Sequence, residues 1–157
     1  MKKIILSLLL ALCLVMALVP MTAFAEGTSV DNWDGSADTS WYTSAPDASE
    51  YHISTAEQLA GLAKLVNTDP GKTNFKGKTF YLDNDLDLSG HEWISIGTGR
   101  GGDYPEYSFC GIFDGQKHVI SNLYSHDSYV NGYDENNNLR NALFGNVYEG
   151  EIKNLGV

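Results

Sequence analysis

Phe113-Asp114-Gly115 is followed by Ile120-Ser121-Asn122-Leu123, and Leu143-Phe144-Gly145 is followed by Ile152-Lys153-Asn154-Leu155. In both stretches an aromatic residue and a glycine stand seven or eight residues ahead of an Ile-x-Asn-Leu unit. A fainter copy runs from Phe75-Lys76-Gly77 to Leu82-Asp83-Asn84. The aliphatic positions suit a strand whose side chains point inward, and the asparagine suits the turn that ends it. Repetition of such a unit predicts a mostly β chain wound as a solenoid, each layer covering the apolar interior of the next. Asparagines at equivalent turns would then stack from layer to layer and satisfy turn amides. The 32-residue spacing between Asn122 and Asn154 reads as one minimal layer plus an insert.

Outward from these units the chain is short strand-like runs separated by Gly, Asn and Asp turns: Thr79 to Leu82, Leu86 to Leu88, Trp93 to Ile96, Val119-Ile120 and Ile152 to Val157. Two polar inserts interrupt them, residues 97–108 and 125–141. Upstream, Ser54-Thr55-Ala56-Glu57 has the form of a capping box, and Leu59, Leu62, Ala63 and Val66 recur with helical spacing. Asn67 and Asp69-Pro70-Gly71 end that pattern. One amphipathic helix of about a dozen residues is not stable alone, so its apolar stripe must lid something, here one end of the β structure. Residues 26–50 lack a sustained period and read as an extended lead-in, with Trp33 and Trp41 docking onto the core.

The first 25 residues have the pattern of an export signal: Lys2-Lys3, an apolar run of 16 residues from Ile4 to Val19, then Ala23-Phe24-Ala25 before Glu26. The run is shorter than the ~20 residues that span a bilayer as a helix, so cleavage between Ala25 and Glu26 is expected, giving a secreted, cell-surface or cell-wall location. Everything acidic follows the leader, with 8 of the 10 basic residues, a formal charge of −12 for residues 26–157. That balance excludes nucleic acid as a partner and disfavours an anionic membrane. Cys110 alone remains after cleavage, in the apolar setting Phe109-Cys110-Gly111-Ile112-Phe113, and reads as a small buried hydrophobe.

Together with Trp33-Asp34-Gly35, Ile53 to Ala60, Gly77-Lys78-Thr79, Asp85 to Leu88 and Trp93 with Ile96-Gly97, the repeat units resemble the surface proteins of Gram-positive and gut bacteria that carry GLUG-type repeats. The resemblance covers nearly all of the chain after the leader and preserves motif order. It implies a right-handed parallel β-helix opened by a capping helix, within a longer wall-attached protein. Similar repeats form non-catalytic regions of some IgA-specific metallopeptidases. Two positions depart from the family pattern, Ala142 and Lys117, where glycine is usual. Gly156-Val157 directly follows a repeat unit, so further repeats of the same polypeptide are expected.

The chemical motifs test poorly. Gly97-x-Gly99-x-x-Gly102 is followed by Asp103-Tyr104-Pro105, which is turn sequence and not the helix a pyrophosphate needs. His91-Glu92 lacks the second histidine of a zinc-protease helix, since Ser95 stands there. Asp83, Asp85 and Asp87 alternate and would share one strand face, which makes them candidate calcium ligands, although a solvated outer face accounts for them as well. Asp134-Glu135-Asn136-Asn137-Asn138 is a second oxygen-rich loop. Tyr104, Tyr107, Tyr129 and Tyr133 in the inserts are candidate ligand contacts. No catalytic residue and no bound cofactor other than calcium is expected. The reading is thus an extracellular structural or adhesive module that presents loops to host or cell-wall glycans or surface proteins. The alternatives are a polysaccharide lyase or hydrolase on the same scaffold, with Arg100, Arg140 and Asp85 as its charged groups, or a carbohydrate-binding module.

Overall fold

A computed structural model describes residues 32–68, 73–98, 106–125 and 142–157. The first element among the described residues is a single helical turn, α1 (Ser40–Thr43). Strand β1 (Glu50–Ile53) leads into helix α2 (Ala56–Thr68), and strands β2 (Thr79–Leu82), β3 (Leu86–Asp87), β4 (Ile112–Asp114), β5 (Ile120–Ser121) and β6 (Glu151–Lys153) follow. No described helix is long and apolar enough to cross a membrane.

The described strands pair only in parallel. One sheet has the order β1-β2-β4-β6, and β3 pairs with β5 in a second sheet of two strands. Their registers make columns: Tyr51, Phe80, Phe113 and Ile152 lie in line across the large sheet, and Leu86 lies opposite Ile120 in the small one. Strand alternation turns Tyr51 and Ile53, then Phe80 and Leu82, toward the core and leaves Glu50, His52, Thr79 and Tyr81 on the other face.

This corrects the expected fold. The right-handed parallel β-helix does not emerge: the described residues form two separate parallel sheets with isolated bridges, 17% helical and 24% strand. Most described backbone is therefore turn and irregular structure, and "mostly β" overstates it. The physical reason lies in the register. The two Ile-x-Asn-Leu units do not stack on one another, because Ile120 pairs with Leu86 while Ile152 pairs with Phe113 in the other sheet. Nor do their asparagines meet. The Asn122 amide donates to Asp87 Oδ1 at 2.9 Å and the Asn154 amide to Asp114 Oδ1 at 3.0 Å.

Helix α2 contributes as much to the core as the strands. Ala56, Leu59, Ala60, Leu62, Ala63 and Val66 are buried in one cluster with Ile53, Phe80, Leu82, Leu88, Trp93, Ile96, Phe109 and Phe113. The cap sits one residue later than the sequence suggests. Gln58 N–H donates to Thr55 Oγ1 at 3.3 Å, and the Gln58 side-chain oxygen takes the Ser54 N–H at 2.8 Å. The Ser54 hydroxyl is thereby free to donate to Asp83. The helix ends at Thr68, one residue past Asn67, and Asn67 ties that end down: its amide donates to the Ser95 carbonyl at 2.9 Å, and its oxygen accepts from the Gly97 and Thr98 N–H groups at 3.0 and 3.1 Å.

The lead-in is folded where the structure describes it. Trp33 is buried against Trp93, with ring centroids 5.8 Å apart, and Trp41 packs edge-on to Tyr51 and Phe80. Between β4 and β5 the chain turns through Gln116 and Lys117 at φ of 50° and 73°, closed by the His118 N–H to the Gly115 carbonyl at 2.7 Å. Two successive positive φ values explain why glycine suits position 117; here lysine accepts the left-handed conformation.

Candidate functional site

The outer side of the sheets carries the polar chemistry, and strand ends place it. Asp83 follows β2, Asp85 and Asp87 bracket Leu86, and Asp114 ends β4. Each carboxylate reaches to a different partner. Asp83 lies 2.9 Å from His52 Nδ1 and also accepts from the Ser54 hydroxyl at 3.4 Å and the Gln116 amide at 3.3 Å. Asp85 takes His118 Nδ1 and the Val119 N–H, both at 2.9 Å. Asp87 takes the Ser89 N–H at 2.8 Å and the Asn122 amide at 2.9 Å. Asp114 repeats that pattern with the Gln116 N–H and the Asn154 amide, both at 3.0 Å.

At Asp87 and Asp114 the device is an Asx turn whose carboxylate also holds the asparagine amide that follows the next strand, whereas Asp83 and Asp85 bond only groups distant in sequence. Asp83, Asp85 and Asp87 are thus divided among three sets of partners, and among the described residues no three His, Cys, Asp or Glu side chains converge as a metal-binding group. Asp114 escaped the sequence reading, although its spacing to Gln116 is the Asx-turn signal.

Each of these carboxyls is held below the ordinary aspartate value. The cause is first the hydrogen bond from His52 for Asp83, from the Val119 N–H for Asp85, from the Asn122 amide for Asp87 and from the Asn154 amide for Asp114. A carboxyl with a lowered folded-state value stabilises the fold above its unfolded value and loses that contribution as acid protonates it. The unfolding midpoint is therefore expected to be insensitive to these four groups above about pH 5 and to fall below about pH 4. Thermal unfolding across that range checks it. Replacing Asp87 and Asp114 by Asn should lower the midpoint at neutral pH and flatten the acid limb.

His52, Asp83 and Ser54 invite comparison with a hydroxyl–imidazole–carboxylate relay. Their connectivity differs, since hydroxyl and imidazole both bond the carboxylate, whereas a relay needs the hydroxyl on the imidazole. Cys110 is buried, and burial raises its thiol above the usual range, which fits a small hydrophobe and not a nucleophile. The glycine motif opens with Gly97 at φ of 82°, and the first two amides there are taken by Asn67.

Two further features were not legible in the sequence. Across the outer face of the large sheet, His52, Tyr81, Asp114 and Lys153 form one row, each opposite the next, spanning roughly 14 Å at the usual strand spacing. The His52 and Tyr81 rings are 5.4 Å apart, and Lys153 Nζ lies 3.9 Å from Asp114. Secondly, a cleft of about 230 Å³ opens between α2, the lead-in and residues 92–94, walled by Trp33 and Trp93, floored by Ala60 and Ala63, with Lys64 exposed beside it. Such a cleft has room for an apolar group of aromatic side-chain size.

Of the candidate ligand contacts, Tyr107 is exposed, at φ of 55° in a turn. Tyr104, Tyr129, Tyr133, Arg100, Arg140, the 134–138 loop and the junction between Ala25 and Glu26 lie outside the described residues. No family model matches the chain, and no curated protein or solved structure is significantly similar to it.

Proposed function

We propose that the chain is an extracellular structural or adhesive module that presents the tyrosine-bearing inserts to glycans or surface proteins and has no catalysis of its own. The observation that carries this reading is how the outer aspartates are used. Asp83, Asp85, Asp87 and Asp114 are each bonded to groups from neighbouring strands or turns, so the most chemically capable side chains serve the scaffold. The leader, the acidic balance and the resemblance to GLUG-type surface proteins support an exposed, secreted location at the cell surface. The test is binding and turnover measured together on acidic and neutral polysaccharides and on cell-wall fragments. Retention without cleavage is expected. Replacing Tyr104, Tyr107, Tyr129 and Tyr133 by Ala together should weaken it about ten-fold or more with an unchanged unfolding midpoint. Polysaccharide cleavage abolished by Asp85→Asn would overturn the reading.

A second reading, a carbohydrate-binding module, is favoured by the His52–Tyr81–Asp114–Lys153 row, where an aromatic ring is flanked by hydrogen-bonding groups at sugar-sized intervals. Glycan binding lost with Tyr81→Ala but retained without the insert tyrosines would select it.

A further inference from the structure

We infer that the cleft between α2, the lead-in and residues 92–94 binds a small aromatic carboxylate, with its single ring in the cleft and its carboxylate on Lys64. The cleft has a volume of about 230 Å³, and the residues that line it all lie within 33–37, 60–68 and 92–94. That is room for one ring on a short tether, below the roughly 300–1,000 Å³ of sites that take larger ligands. The back wall is fixed. Trp33 and Trp93 are 5% and 2% exposed, and their indole N–H groups donate to the Ser36 carbonyl at 2.8 Å and the Leu143 carbonyl at 3.2 Å. What the indoles offer the cleft is therefore apolar surface. Ala60 and Ala63 on α2 and Ala37 on the lead-in are too short to fill the space. The lead-in is held in place beside it, since the Asp38 N–H donates to the Glu57 carbonyl at 2.8 Å.

The polar groups of the wall decide what the ring carries. Asn67 is engaged by Ser95, Gly97 and Thr98, and the Thr68 hydroxyl donates to the Lys64 carbonyl at 2.7 Å. Glu92, the carboxylate on the wall, has a polar interaction of its own. Lys64 differs. It is exposed, and among the described residues its ammonium is in no ion pair. Lys76, Lys78 and Lys153 each lie against a carboxylate or a carbonyl. In a chain of formal charge −10, an uncompensated cation beside an apolar hole favours an anion with an apolar body. Burial of the ring supplies most of the affinity, and the exposed ion pair adds selectivity. Ile94, 56% exposed on the rim, is covered by the same ring. None of the tyrosines assigned to adhesion takes part, so this site stands or falls separately from that reading.

Calorimetric titration with 3-phenylpropanoate and with its neutral amide, followed in parallel by indole fluorescence, tests the inference. The acid is expected to bind with a Kd of about 0.1–1 mM and the amide about three-fold more weakly. K64Q should bring the acid down to the amide and leave the amide unchanged, whereas K117Q, a neutralised lysine away from the cleft, should alter neither. A63L should abolish binding of both by filling the cleft. Because Ala63 is buried, the exposed position 94 gives a second route that does not depend on repacking. I94E should bind the acid about three-fold more weakly than I94Q does, while the two bind the amide alike and keep the circular dichroism of the parent. The inference is overturned by no saturable binding of the acid, by acid and amide binding alike, or by an acid affinity that K64Q does not move. A folded A63L that still binds overturns it equally.

Discussion

Phe80→Ala is expected to remove about 3–5 kcal/mol of folding stability. Phe80 has no solvent exposure and sits where the lead-in, the large sheet and the aromatic cluster meet. Its ring stacks on Tyr51 at 5.3 Å, meets Phe75, Trp41 and Phe109 edge-on at 5.0, 5.8 and 5.7 Å, and lies in the column with Phe113. Truncation forfeits the transfer free energy of the ring and leaves a void that four aromatic neighbours, each held by other contacts, cannot close without moving together. Domains of this size have only about 5–15 kcal/mol in total, so the variant should unfold near ambient temperature or at low urea. Tyr81→Ala removes a ring from the same strand on the opposite, half-exposed face, and should cost about 1 kcal/mol or less. Urea unfolding of the pair separates burial from strand propensity, since both changes delete an aromatic from β2.

The sequence reading succeeds where local periodicity decides and fails where register decides. Helix α2 was legible because Leu59, Leu62, Ala63 and Val66 carry a 3.6-residue period that no strand would bury. Its cap was read one residue early because Ser54 and Thr55 are both competent, and the Ser54 hydroxyl is drawn instead to Asp83, 29 residues on. The runs Thr79 to Leu82 and Leu86-Asp87 form strands, and β5 and β6 overlap the runs at Val119-Ile120 and Ile152 to Val157, but β1 and β4 were not foreseen and Trp93 to Ile96 forms no strand, only a bridge from Ile96 to Phe144. Parallel pairing joins residues by distance and inward direction, so a column such as Tyr51–Phe80–Phe113–Ile152 mixes rings with an aliphatic side chain. Two look-alike strings, Ile120 to Leu123 and Ile152 to Leu155, then fall into different sheets. Likeness between the strings implies a solenoid, and the registers remove it. The alternating aspartates were visible as a group, while their partners, His52, His118 and Asn122, come from about 30 residues away in sequence and only the fold brings them in.

Gly61→Ala is expected to destabilise the protein by about 3 kcal/mol, opposite in sign to what helix propensity alone dictates. Position 61 lies in the interior of α2, where exchanging glycine for alanine ordinarily gains about 1 kcal/mol. Here a Cβ would stand 1.9 Å from the Asp38 carbonyl oxygen and 2.6 Å from its carbon, well inside van der Waals contact with backbone. The lead-in cannot simply retreat. The Asp38 N–H donates to the Glu57 carbonyl at 2.8 Å, and the Asp38 carbonyl accepts from the Trp41 indole at 2.9 Å. Moving that segment far enough breaks both bonds and withdraws Trp41 from Tyr51 and Phe80, which adds lost packing to the overpacking penalty. Thermal unfolding gives the sign, and indole fluorescence shows whether Trp41 has left its site. A gain in stability would mean that the lead-in does not lie against this face of the helix. A loss with a more solvent-like indole signal would mean that the glycine exists to let two backbones touch, and that the aromatic cluster depends on that approach.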